Sequence, residues 1–111
     1  MELTQGVRFD TLELSPELLR ALLERNIVQS TPVQAGCIPP MLAWRDVIAK
    51  APTGTGKTFA YGIPIVEHID PEDDSVQAVI LAPTRELAIQ ITDELRVLYA
   101  YKPDIRAVCL Y

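Results

Sequence analysis

Ala51-Pro52-Thr53-Gly54-Thr55-Gly56-Lys57-Thr58 closes the short apolar run Val47–Ala51 and opens a stretch with helical periodicity. That order, apolar run, Gly/Thr turn, then helix, is what a phosphate-binding loop requires. The turn lets consecutive backbone N–H groups face one anionic site, and the following helix adds its positive end. In such a loop Lys57 places a point charge on the β/γ-phosphates and the Thr58 hydroxyl ligates Mg²⁺, which makes these two the catalytic candidates. Pro52, Thr53, Gly54, Thr55 and Gly56 supply the surrounding cradle. Ala51 stands where the G-x-x-x-x-G-K-[ST] pattern has its first glycine.

Outward from the loop, the chain alternates between helical and strand-like stretches. Ser15 caps a helix with Pro16 at its first position, and Leu18, Leu19, Leu22 and Leu23 form its buried stripe. Asn26 falls where a left-handed residue belongs. Thr31-Pro32-Val33-Gln34 opens a second helix, to about Ala43. A third runs from Lys57 to about His68, with Phe59, Ile63 and Val66 inward and Pro64 expected to kink or break it. Thr84 caps a fourth, to about Tyr99, with Leu87, Ile91, Leu95 and Leu98 at helical spacing. Val47–Ala51, Val76–Ala82 and Ile105–Tyr111 read as three strands. Strands joined by helices predict an α/β fold, a parallel sheet with right-handed crossovers.

Composition bounds the function. The 111 residues are 49% hydrophobic and 23% charged, so the chain is globular. No apolar run spans a bilayer and the start is not a signal peptide, so no membrane role is expected. Cys37 and Cys109 read as reduced core residues of a cytoplasmic protein. Ten basic against fifteen acidic residues give a net charge of −5, which excludes nucleic-acid binding by bulk charge. The acidic run Asp70-Pro71-Glu72-Asp73-Asp74 reads as a solvated loop.

With these residues in view, the chain resembles the N-terminal part of the first RecA-like domain of a DEAD-box RNA helicase. Three motifs carry the likeness over most of residues 9 to 90: Ala51–Thr58, Pro83-Thr84-Arg85-Glu86-Leu87-Ala88, and Thr31–Gln34 with the isolated Phe9 upstream. Asn26, Ile27, Gln29 and Ser30 depart from the family's form of the upstream motif. The resemblance implies a partial RecA-like (P-loop NTPase) parallel sheet of about three strands flanked by helices. It assigns residues 9–34 to base recognition, 51–58 to ATP or ADP with Mg²⁺, and 83–88 to RNA contact.

The residues admit that chemistry. A glutamine amide can donate to N7 and accept from N6 of adenine, and an aromatic ring such as Phe9 can stack on the purine. Gln34 also stands at the capping-box spacing from Thr31, and Phe9 also suits a core. Pro83, Thr84 and Arg85 lie where a helix begins, and an arginine fork with free N–H groups suits a nucleic-acid phosphate. A salt bridge from Arg85 to Glu86 or Asp46 is the structural alternative. No Asp-Glu-Ala-Asp or Ser-Ala-Thr tetrad or triad occurs in the sequence. The resemblance therefore implies about half of a motor domain, able to bind nucleotide without turning it over and prone to self-association. A stand-alone nucleotide- or RNA-binding regulatory module, a DNA helicase and another phosphate-loop ATPase are the competing expectations.

Overall fold

The computed structural model describes residues 6–51 and 56–111, and among them it holds four α-helices and one 3-10 turn at Phe9–Thr11. The helices are α1 (Pro16–Glu24), α2 (Pro32–Leu42), α3 (Lys57–His68) and α4 (Arg85–Leu98). Local chemistry sets their starts. Ser15, Thr31 and Thr84 each accept a hydrogen bond from the backbone N–H three residues on, to Leu18, Gln34 and Leu87. Asn26 takes the left-handed conformation after α1. Pro64 is accommodated inside an unbroken α3.

The helix α3 packs between α2 and α4, and α1 rests on α4. Gly62 makes the α3–α4 approach close, since a Cβ there would lie 3.0 Å from the methyls of both Leu95 and Leu98. The main core gathers Phe9, Leu14, Leu18, Leu22, Ile38, Ile63, Val66, Ile91, Leu95, Leu98 and Ile105. A second cluster, Val33, Cys37 and Ala60, lies between α2 and α3. Leu23, read as part of the buried stripe, is 64% exposed, whereas Leu18 and Leu22 turn into the core.

The sheet is the main correction. The described residues contain no β-ladder, only an isolated antiparallel bridge between Arg8 and Gln29. The partial RecA-like domain with a parallel sheet of about three strands is therefore not what these residues form; they make a helical bundle. Val47–Ala51, Val76–Ala82 and Ile105–Tyr111 carry no regular secondary structure. The physical reason is that a strand exists only by pairing, and none of the three finds a ladder partner in another. Their apolar runs record one-sided packing on helices instead. Ile80, Ala82, Ile105 and Ala107 lie on the main core, and Val47 and Ala51 on the second cluster. Ile48, Val76, Val79, Leu81, Val108 and Leu110 in these segments are exposed.

A feature absent from the sequence-based expectation ties the N-terminal segment down. Phe9 N–H donates to Val28 O at 3.0 Å, Ser30 N–H to Val7 O at 2.7 Å, and Val7 N–H to the Ser30 hydroxyl at 2.9 Å. This short pairing delivers Phe9 into the core. Glu67 adds a second tie. It accepts from the Ser15 backbone and hydroxyl at 2.9 and 2.6 Å and from Lys102 at 3.1 Å, joining the start of α1 to the end of α3.

Phe9 is 2% exposed, so Phe9→Ala should lower unfolding free energy by about 3–5 kcal/mol in denaturant titration. The exposed control Leu23→Ala should change it by less than about 0.5 kcal/mol.

Candidate functional site

The site is built around the start of α3. Gly56 is its N-cap residue, with φ of 81°, in the left-handed region that favours glycine. It offers no side-chain cap, unlike Ser15, Thr31 and Thr84, and no acidic residue lies in the first turn of α3. The N–H groups that open α3 thus receive no cap from their N-cap residue, and they carry the positive end of the helix. Lys57 begins the helix and is exposed; Thr58 follows, half-buried. This is the donor set an anion takes. Of the predicted cradle, Pro52, Thr53, Gly54 and Thr55 lie outside the described residues.

Gln34 meets this helix start directly. It is 4% exposed and sits in the first turn of α2. Its Oε1 accepts from Thr31 N–H at 2.9 Å, while the Thr31 hydroxyl accepts from Gln34 N–H at 3.3 Å, so the capping box is complete. Its Nε2 also donates to Gly56 O at 3.1 Å. A Cβ on Gly56 would collide with that same amide nitrogen. The structural alternative raised for Gln34 is thus present, and the same side chain links the start of α2 to the start of α3. An amide has two donor hydrogens and two acceptor lone pairs. Among the described residues, each end of Gln34 has one hydrogen-bonding partner, Thr31 N–H and Gly56 O.

Phe9 reaches the same region through the Val7–Phe9 and Val28–Ser30 pairing, but its ring is inside the core. Tyr61, one turn after Thr58, is a neighbour that sequence reasoning missed. Burial pushes its phenol above the ordinary range; Thr58 pulls the other way, and the Glu94 charge adds to the rise.

The second motif stands at the start of α4. Pro83, Thr84 and Arg85 are all exposed. The ion pairs among the described residues are Arg8–Asp10, Arg20–Glu24, Arg96–Asp93 and Lys102–Glu67. Neither Glu86 nor Asp46 pairs with Arg85. Its guanidinium instead lies over the ring of Tyr111, with Cζ 4.3 Å from the centroid.

The sequence model of the DEAD/DEAH box helicases matches residues 31–111, which include α2, the loop, α3 and α4. The chain belongs to the DEAD/DEAH box helicase family. It is 51% identical over 101 residues to the DEAD-box ATP-dependent RNA helicase CshA of Bacillus licheniformis, covering 91% of this chain and 20% of that protein. The crystal structure of a DEAD box protein from Methanococcus jannaschii matches with TM-score 0.78 and 38% identity, over 82% of this chain and 25% of that one. A Saccharomyces cerevisiae Dbp5 structure, bound to RNA and ADP BeF3, matches with TM-score 0.82 and 35% identity, over 86% of this chain and 25% of that one. The chain thus spans about a fifth to a quarter of these DEAD-box relatives. Its backbone follows theirs although no ladder forms among the described residues.

Gln34→Ala removes the partner of both Thr31 N–H and Gly56 O. The expected cost is about 1–3 kcal/mol of stability, read by thermal or denaturant unfolding. Gly56→Ala should cost at least as much, because strain at a positive φ adds to the collision with Gln34.

Proposed function

We propose that residues 31–34 and 51–58 form the ATP-binding part of a DEAD-box RNA helicase, with residues 83–85 contacting the RNA backbone. The longer protein would unwind or remodel short RNA duplexes using ATP. The observation that carries this reading is the start of α3, given no cap by its N-cap residue and led by Lys57, with Gln34 held against Gly56. The relatives support it: CshA is described as an ATP-dependent RNA helicase, and the Dbp5 structure as holding RNA and ADP BeF3.

Each residue has a role in this proposal. Backbone N–H groups of Thr53, Gly54, Thr55, Gly56 and Lys57 would donate to phosphate oxygens. Lys57 would balance phosphate charge, and the Thr58 hydroxyl would help to hold Mg²⁺. When bound, ATP with Mg²⁺ supplies the bond whose cleavage powers the cycle. Gln34 reads adenine with the donor and acceptor it has left, without releasing Thr31 or Gly56. Phe9 can stack on the purine only once its ring leaves the core. Thr84 and Arg85, after Pro83, hold a phosphate of the RNA backbone. The free thiols of Cys37 and Cys109 fit a cytoplasmic setting. Among the described residues no helix is long and apolar enough to cross a membrane.

Nucleotide choice tests the proposal. Fluorescent ADP should bind the chain, and GDP should compete at least about tenfold less well, the effect of two lost hydrogen bonds near 1 kcal/mol each. Equal competition by GDP would remove the adenine role of Gln34. Lys57→Ala should weaken both nucleotides alike, since it leaves the base site intact.

The chain alone should show no RNA-stimulated phosphate release, because it contains no Asp-Glu-Ala-Asp tetrad to activate water. Stimulated release lost in Lys57→Ala would refute this. The exposed Ile48, Val76, Val79, Leu81, Val108 and Leu110 also favour self-association of the isolated chain. Light scattering should give a mass that rises with concentration; a constant monomer mass with a cooperative melt would refute it.

A further inference from the structure

Tyr111 lies outside the three motifs, and nothing in its local sequence marks it. It is 75% exposed, yet its ring carries the Arg85 guanidinium at 4.3 Å. The contact is built from a distance of 26 residues, and the segment that brings Tyr111 there is anchored. Ile105 is buried in the main core, and Ala107 N–H donates to the Tyr99 hydroxyl at 3.3 Å. From Ile105 to Leu110, inward and outward residues alternate, which lays the segment along the helices toward the start of α4.

The choice of partner matters chemically. A carboxylate would hold Arg85 equally well but would cancel its charge and occupy its N–H donors. An aromatic face attracts the cation through the ring quadrupole, takes none of those hydrogen bonds and leaves the charge in place. Arg8 and Arg96 pair with carboxylates, and Arg20, which also lies over a ring, that of Tyr101 at 4.2 Å, pairs with Glu24 as well. Arg85 lies over a ring and is in none of the ion pairs among the described residues.

We propose that Tyr111 is a positioning residue for RNA binding, pre-ordering the Arg85 guanidinium for a backbone phosphate of single-stranded RNA. The proposal rests on the reading of Arg85 as an RNA contact. Its energetic content is the side-chain freedom that Arg85 need not lose again on binding.

The test uses the full chain and a short fluorescein-labelled oligouridine, with affinity followed by anisotropy across a salt series. Arg85→Ala should weaken binding and reduce the slope of log K against log salt by about 0.7, the signature of one lost phosphate contact on a single strand. Tyr111→Leu should weaken binding about two- to fivefold, the range a surface cation–π contact supports. Tyr111→Phe keeps the ring and should restore wild-type affinity. In the Arg85→Ala background Tyr111→Leu should have no further effect, a coupling that a merely structural role would not produce. The exposure of Tyr111 spares the core, and unchanged melting temperatures verify it. Wild-type affinity in Tyr111→Leu, with Arg85→Ala impaired, overturns the positioning role and leaves the RNA contact standing. An equal loss with and without Arg85 also overturns it. Wild-type affinity and slope in Arg85→Ala overturn both.

Discussion

The amide of Gln34 is the constraint on which the proposed site depends. One end completes the cap of α2 through Thr31, and the other holds the carbonyl of Gly56, the last residue before α3. Two helix starts, far apart in sequence, are thereby fixed relative to each other by a side chain almost wholly removed from water. In such surroundings both amide groups must be satisfied, so the geometry has little freedom. Gly56 is required twice over, once for its positive φ and once for the space the amide takes. Capping and the proposed base recognition are compatible, since the cap uses only part of the amide's hydrogen-bonding capacity.

The helix that leaves this junction is held at its far end by different means. Glu67 receives the backbone and hydroxyl of Ser15 together with Lys102, and His68 Nε2 lies 3.0 Å from Leu42 O while its ring stacks on Trp44 at 3.7 Å. Trp44 adopts a φ of 62°, an unusual conformation for a bulky side chain, in the turn that follows α2. The tail of α3 is thus tied to α1, to the end of α2 and to the segment after α4. Its head is tied through the Gly56 carbonyl and the packing of Ala60 on Val33 and Cys37, and its N-cap residue, Gly56, supplies no capping side chain. A helix with its tail pinned in this way would hold the proposed phosphate site at its head in place.

The helices were legible because their signals are local: Ser15, Thr31 and Thr84 with the spacing to their bonded N–H groups, Asn26 at the end of α1, and stripes such as Ile91, Leu95 and Leu98. The three motifs were legible for the same reason. The sheet was misread because an apolar run states only that a segment packs, not on what. Ile80 and Ala82 face helices and Leu81 faces away, an alternation that a ladder partner would share but does not require. Contacts between distant segments were invisible for a similar reason. Neither the Gln34–Gly56 bond nor the Phe9–Val28 backbone bond can be read from the residues near either one.

Electrostatics gives the last step. A chain of net charge −5 repels polyanions at long range, so any binding of phosphate must come from donors aimed at short range. The structure supplies them in two forms. At α3 they are backbone N–H groups that the N-cap residue leaves uncapped, beside the exposed Lys57. At α4 the Thr84 hydroxyl has already accepted from Leu87, which leaves Arg85 as the charged group. Arg20 lies over Tyr101 but also pairs with Glu24, whereas Arg85 lies over Tyr111 outside the ion pairs among the described residues, and a ring holds a cation without neutralising it. The acidic surplus then suppresses unspecific attraction to polyanions, while these two helix starts retain the directed donors that a phosphate can satisfy.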